Sequence, residues 1–277
     1  MVFPMYQQAL NLSKKGAGRR VGLALLALGL ALGSTGCKDT TEVVPDSGRN
    51  YYPVAVGNFW VYAVADTSWT AASVQGSTVT RSVATGSAYQ FKETIAETFT
   101  DATGKPAYRL VRAKRLTPND AWRDDSVFVL SVMSNAVVLN RNNARTVELI
   151  FPPREGRSWN FNAFNNNSND TITAQTRQFG RVGQPYTTGG GTTGQPATTY
   201  ATTLTTTNTG TAAETTLLRR ISYQQVFAAG VGPVFRRRAH LEYFNYTDQA
   251  TGNQLFPANA YSSAFTRRET LLDYGPR

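Results

Sequence analysis

The stretch Tyr52–Tyr62, YPVAVGNFWVY, and the stretch Phe151–Phe161, FPPREGRSWNF, share one pattern: aromatic-Pro-x-x-x-Gly-x-x-Trp-x-aromatic. Proline ends the preceding extended segment, and glycine permits a tight turn with positive φ. The Trp and the aromatic two residues later then lie on one face of a new strand. A buried Trp removes a large apolar area from water. Each copy therefore reads as a strand start that drives an aromatic pair into a core; lining a ligand groove is the functional alternative. A duplicated half-domain is compatible with the echo, although the sequences between the copies do not obviously align.

Strand signals continue on both sides of these copies. FWVYAVA (Phe59–Ala65) is aromatic and β-branched, and GSTVTRSVAT (Gly76–Thr85) alternates polar and apolar residues. AYRLVRAKRL, DSVFVLSVM, NAVVLNR, TVELIF, DTITAQTRQF and PVFRRRAHLEYFNY extend the series. In AYQFKETIAETF the alternation is imperfect, because Glu93 shares a parity with Tyr89 and Phe91. Period-two patterning indicates strands with one wet face. TDATGKP (Thr100–Pro106) and TDQATGNQ (Thr247–Gln254) carry turn residues. No stretch after residue 36 holds a 3.6-residue period over three turns. The expected fold is all-β: an antiparallel meander forming a curved sheet, a sandwich or a partly open barrel. Thr187–Thr216, rich in threonine with the Gly189-Gly190-Gly191 run, reads as a flexible loop inserted in a single domain of residues 51–274. A long hairpin or a domain boundary there are the rival readings. The Asn-rich stretch 160–169 reads as an exposed turn.

The opening residues carry Lys14, Lys15, Arg19 and Arg20 and no acid. The apolar run Val21–Leu32 follows, shorter than the about 20 residues a membrane helix needs. Small residues Gly33–Gly36 then lead to Cys37, the only cysteine in 277 residues. A basic segment, a short apolar core and small residues form a secretory signal. Residues 33–37 resemble the bacterial lipobox, with Ser34 in the place where that motif favours Leu. The resemblance implies that 1–36 is a lipoprotein signal peptide and that a diacylated Cys37 anchors the mature chain in outer-membrane lipid. Residues 37–50 read as a polar tether. Lys38 and Asp39 look like the surface-export signal of lipoproteins in Bacteroidota. The expected location is the outer membrane, at the cell surface or on the periplasmic face.

The tether-to-body element Pro53, Gly57, Trp60, Tyr62, the late Gly230-Val231-Gly232 with Val234, and the closing Leu271 or Leu272 with Tyr274 resemble a group of bacterial secreted lipoproteins. That resemblance implies a β-rich envelope protein and no particular activity. Gly230 and Gly232 do not make a dinucleotide fingerprint, since the third glycine and the following helix are missing.

The chain carries 28 Lys+Arg against 18 Asp+Glu, but the leader holds four of the cations and none of the acids, leaving +6 after residue 36. No basic run reads as a nucleic-acid arm. With one cysteine there is no intramolecular disulfide, and with one histidine, His240, no ordinary zinc site. No cofactor is expected. His240 lies in RRRAHLEYF, where Arg236, Arg238, His240 and Glu242 share what reads as a solvated strand face. Asp120, Asp124 and Asp125 form a candidate metal site without EF-hand spacing. The expected role is non-catalytic binding or support, with an envelope glycan or another envelope protein as partner. The alternatives are a half-open barrel that carries a lipid or hydrophobic ligand, and a glycan hydrolase pairing Asp120, Asp124 or Asp125 with Glu93, Glu97 or Glu148.

Overall fold

The computed structural model describes residues 47–165, 175–190, 196–209 and 214–276, all within the compact unit Asp46–Arg277. Among the described residues a 3-10 turn, Arg49–Tyr51, precedes sixteen strands. The first group is β1 (Phe59–Trp69), β2 (Ser73–Gln75), β3 (Thr78–Thr80), β4 (Ala84–Thr100), β5 (Pro106–Arg115), β6 (Arg123–Val132), β7 (Ala136–Arg141) and β8 (Ala144–Ile150). The second is β9 (Ser158–Asn160), β10 (Thr176–Thr188), β11 (Thr198–Asn208), β12 (Arg219–Ala228), β13 (Gly232–Tyr243), β14 (Tyr246–Thr247), β15 (Gln254–Leu255) and β16 (Tyr261–Gly275). Twelve strands form one antiparallel sheet in the order β8-β7-β6-β5-β4-β1-β16-β13-β12-β11-β10-β9. β2–β3 and β14–β15 are small two-stranded ribbons outside it.

The sheet curls until its two edges meet. Val147 of β8 donates its N–H to the carbonyl of Phe161, just past β9, at 2.8 Å, and the Trp159 indole donates to the Val147 carbonyl at 2.8 Å. The result is a nearly closed barrel, the last of the architectures the strand pattern allows. Closure removes the exposed sheet edges that would otherwise template pairing with another chain.

The barrel consists of two meanders of six strands, β1-β4-β5-β6-β7-β8 and β9-β10-β11-β12-β13-β16, each opened by one copy of the Pro-Gly-Trp element. The two copies share their backbone pattern. Gly57 and Gly156 both take positive φ. Gly57 N–H donates to Ile95, whose N–H returns to Asn58; Gly156 N–H donates to Phe179, whose N–H returns to Arg157. Trp60 stands opposite Glu93 and Trp159 opposite Arg177. The two halves of the barrel thus open on the same local backbone arrangement.

One end of the barrel is filled with apolar side chains. Tyr51 and Tyr52 enter it, and the Tyr52 ring lies 6.1 Å from Trp60 and 5.9 Å from Phe227. Ile95, Leu110, Leu130, Leu149, Phe179 and Val234 complete this floor. Here the late glycine element meets the early Trp. The Trp60 indole donates to the Val231 carbonyl at 2.6 Å, and the Tyr62 hydroxyl donates to Pro233 at 2.9 Å. A Cβ at Gly232, where φ is +102°, would sit 2.9 Å from Trp60 Nε1. Both strain and overlap oppose a side chain at that position, so Gly232→Ala is expected to cost about 2–3 kcal/mol in urea unfolding. A loss below about 0.5 kcal/mol, the scale of ordinary surface changes, would refute the close-packing account.

The threonine-rich segment departs from the loop expectation. Thr198–Asn208 is a strand paired with both β10 and β12. β-Branched threonine suits a pleated wall, and Thr203, Thr205 and Thr206 are buried there. A break in register between Gly180 and Gln184, with Arg181 and Gly183 at positive φ, bends the far part of the β10–β11 hairpin. Tyr186 then lies 5.8 Å from Phe235 on the outer side of β13. Residues 191–195 and 210–213 of the segment lie outside the described residues. So do 166–174, which hold part of the Asn-rich turn and the start of the DTITAQTRQF strand.

Candidate functional site

The middle of the barrel is ionic. On β4 the inward positions run Tyr89, Phe91, Glu93, Ile95, so the parity that looked imperfect places a carboxylate in the core. Glu93 is 1% exposed. It accepts from Arg112 Nη2 at 2.5 Å and from Arg236 Nη2 at 2.9 Å. Arg236, 2% exposed, also reaches Glu269 at 2.9 Å. Its guanidinium lies over the Tyr62 ring, and that of Arg112 over Phe91 and Phe128. Two further pairs belong to the same interior: Arg141–Glu148 at 3.3 Å and Arg177–Glu214 at 3.1 Å. Arg177 stacks on Phe161 and Tyr223.

This arrangement fixes protonation. Burial pushes the Glu93 carboxyl up, but Arg236 and Arg112 together outweigh it and hold Glu93 far below the usual carboxylate range. Glu269 is likewise lowered: burial opposes ionisation, and Arg236 and Arg238 overcome it. Burial pushes the Tyr223 hydroxyl up to about 12. Carboxylates held ionised this firmly cannot serve as a general acid, which needs a raised pKa near the working pH.

The RRRAHLEYF face is not a solvated one at its start. Arg236 and Arg238 point into the barrel, and exposure rises along this face of β13 as far as His240. On the outer side Phe235 is also buried, where Tyr186 of the β10–β11 hairpin packs against it. Toward the same end, Asp66 pairs with Arg267 at 2.8 Å and accepts from Tyr89 at 2.9 Å. The barrel thus has an apolar end and a polar end.

Asp120, Asp124 and Asp125 line a cavity of about 500 Å³ at the β5–β6 turn, together with Lys114, Arg115 and Arg123. Asp120 accepts from the Thr117 N–H and Asp125 from Ser126. Among the described residues no group of three or more His, Cys, Asp or Glu is placed to hold a metal ion. The three aspartates are therefore not gathered around a common point, and three cations share their cavity. Glu93, Glu97 and Glu148 do not line it. Glu97 is on the outer wall, paired with Arg109. His240 is exposed beside Glu242, at 3.3 Å. Cys37, Lys38 and Asp39 lie outside the described residues.

Outward positions include Lys92, Glu97, Arg109, Arg237 and Arg268. A barrel that crosses an outer membrane carries an apolar band there instead. No helix among the described residues is long and apolar enough to span a bilayer. In comparisons with protein families and with curated proteins, no family model and no curated sequence matches this chain.

Proposed function

We propose that this chain is a lipid-anchored protein of a bacterial outer membrane, held through acylated Cys37, with a non-catalytic binding or supporting role at the envelope. The observation that carries the non-catalytic part is the interior lattice, in which Arg112 and Arg236 pair with Glu93 and Arg236 also bridges to Glu269. It leaves neither carboxylate available to donate a proton. The same lattice disfavours a hydrocarbon cargo, since an apolar chain would exclude water from charged side chains and pair with none of them. A polar or charged envelope component suits the interior better. The anchor rests on the signal peptide, on the lone Cys37 and on its place just before the compact unit that begins at Asp46.

The anchor is tested by Cys37→Ser. Acyl chains contribute about 0.8 kcal/mol per buried CH₂, so two chains give stable attachment and their absence gives none. In the variant, palmitate labelling should vanish and the protein should leave the membrane fraction. Retention in membranes without label would end the proposal. For the binding role, purified protein is passed against envelope fractions; capture of a glycan or envelope protein supports it.

A further inference from the structure

Among the described residues, Arg112, Arg141, Arg177, Arg236 and Arg238 share the middle of the barrel with Glu93, Glu148, Glu214 and Glu269. Every arginine of this set but one has an acidic partner. The exception is Arg238, which makes no hydrogen bond or ion pair among the described residues. Its Nε is sealed from solvent and unbonded, while the side chain as a whole remains partly accessible.

Arg238 stands directly opposite Tyr223 on β12 and Arg267 on β16, and one inward position above Arg236. Arg267 is committed to Asp66. Arg141 comes from β7, on the far side of the wall, and its Nε is also unbonded. Burial, and then the like charge of Arg141, lowers the Arg238 pKa, against the opposing charge of Glu269. A largely buried guanidinium without a hydrogen-bonded partner is costly, and its fork suits a planar oxyanion.

We infer that the polar end of the barrel binds a small monocarboxylate at Arg238, on the inner wall between Tyr223 and Arg267. One negative charge would match the one arginine of this set that lacks an ion-pair partner among the described residues, which favours a singly charged carboxylate over a phosphate. The tip of Arg238 forms the fork, Arg141 adds field from across the barrel, and the Tyr223 ring flanks the site. The inference deepens the reading of the barrel as a binding module and is independent of the lipid anchor.

The test uses protein purified from membranes in detergent and follows melting temperature during titration with acetate, benzoate or inorganic phosphate, with sodium chloride as the ionic-strength control. Either carboxylate should raise the melting temperature of the wild type at about 10 mM, a weak-affinity range. Arg238→Met should melt higher than wild type without ligand, because an unpaired buried charge is gone. Its response to carboxylate should be weaker by about tenfold or more. Arg238→Gln should lose the response without needing to be more stable, and Arg237→Met, on the outward face, should keep it. An equal carboxylate response in wild type and both Arg238 variants, no response in wild type, or a response to phosphate alone would each overturn the assignment. Capture of an envelope component together with a flat carboxylate titration would overturn this inference while leaving the binding role intact.

Discussion

Glu93→Gln is expected to destabilise the barrel by about 3–5 kcal/mol, the usual loss when one partner of a buried ion pair is removed. The substitution keeps volume and shape, so the loss is electrostatic. Arg112 and Arg236 both point at this carboxylate, and Glu269 alone cannot satisfy two guanidinium groups. The same residue governs acid sensitivity. Its carboxyl ionises far more readily when folded than when unfolded. A carboxylate lowered in the folded state contributes stability that is fully present above its unfolded value, about 4.3. That contribution is lost as pH falls below this value toward the folded one, because the unfolded chain takes up the proton first. Wild type should therefore lose stability steadily below about pH 4.5, whereas the Gln variant starts lower and falls less steeply. Glu269, lowered in the same way, supplies part of the slope that remains. Urea unfolding across pH decides the matter: a variant within about 1 kcal/mol of wild type, or with an unchanged acid slope, contradicts the account.

Trp60→Ala should be comparably severe, about 3–5 kcal/mol. Trp60 is 2% exposed, and its removal opens space against Tyr52 and Gly232 at the apolar end. It also strands the Val231 carbonyl, now the acceptor of the indole N–H. Trp60→Phe separates the two contributions: it keeps much of the packing and loses the hydrogen bond, with an expected cost of about 1–3 kcal/mol. Equal losses for the Ala and Phe variants would mean that the hydrogen bond, and not the packing, dominates.

The alternation of FWVYAVA and its successors was enough to read an antiparallel all-β body, because each wall residue faces either water or core. Closure was not readable, since it depends on a contact between Val147 and Phe161 that no local pattern encodes. The Trp element was readable as a strand start, but its partner was not: Trp60 meets Val231 across 171 residues. The ionic interior left one local trace, the carboxylate of Glu93 on an apolar parity. Its partners Arg236 and Glu269 lie too far along the chain for spacing to connect them. RRRAHLEYF misled for a related reason. Arginines usually mark the wet face of a strand, and here a charged interior and a folded-over hairpin reverse the two sides. Low complexity misled at Thr198–Asn208, where threonine's preference for strands prevailed once β10 and β12 lay on either side.

A cask is as tight as its narrowest stave. Eleven of the joints in this wall are ladders along neighbouring strands, but β9 is only three residues long, and the described tie between it and β8 is a main-chain bond beside the Trp159 indole. Hoop strain from any swelling of the lumen therefore concentrates at that latch. The girth can give there, by parting one short joint, while every other ladder keeps its register.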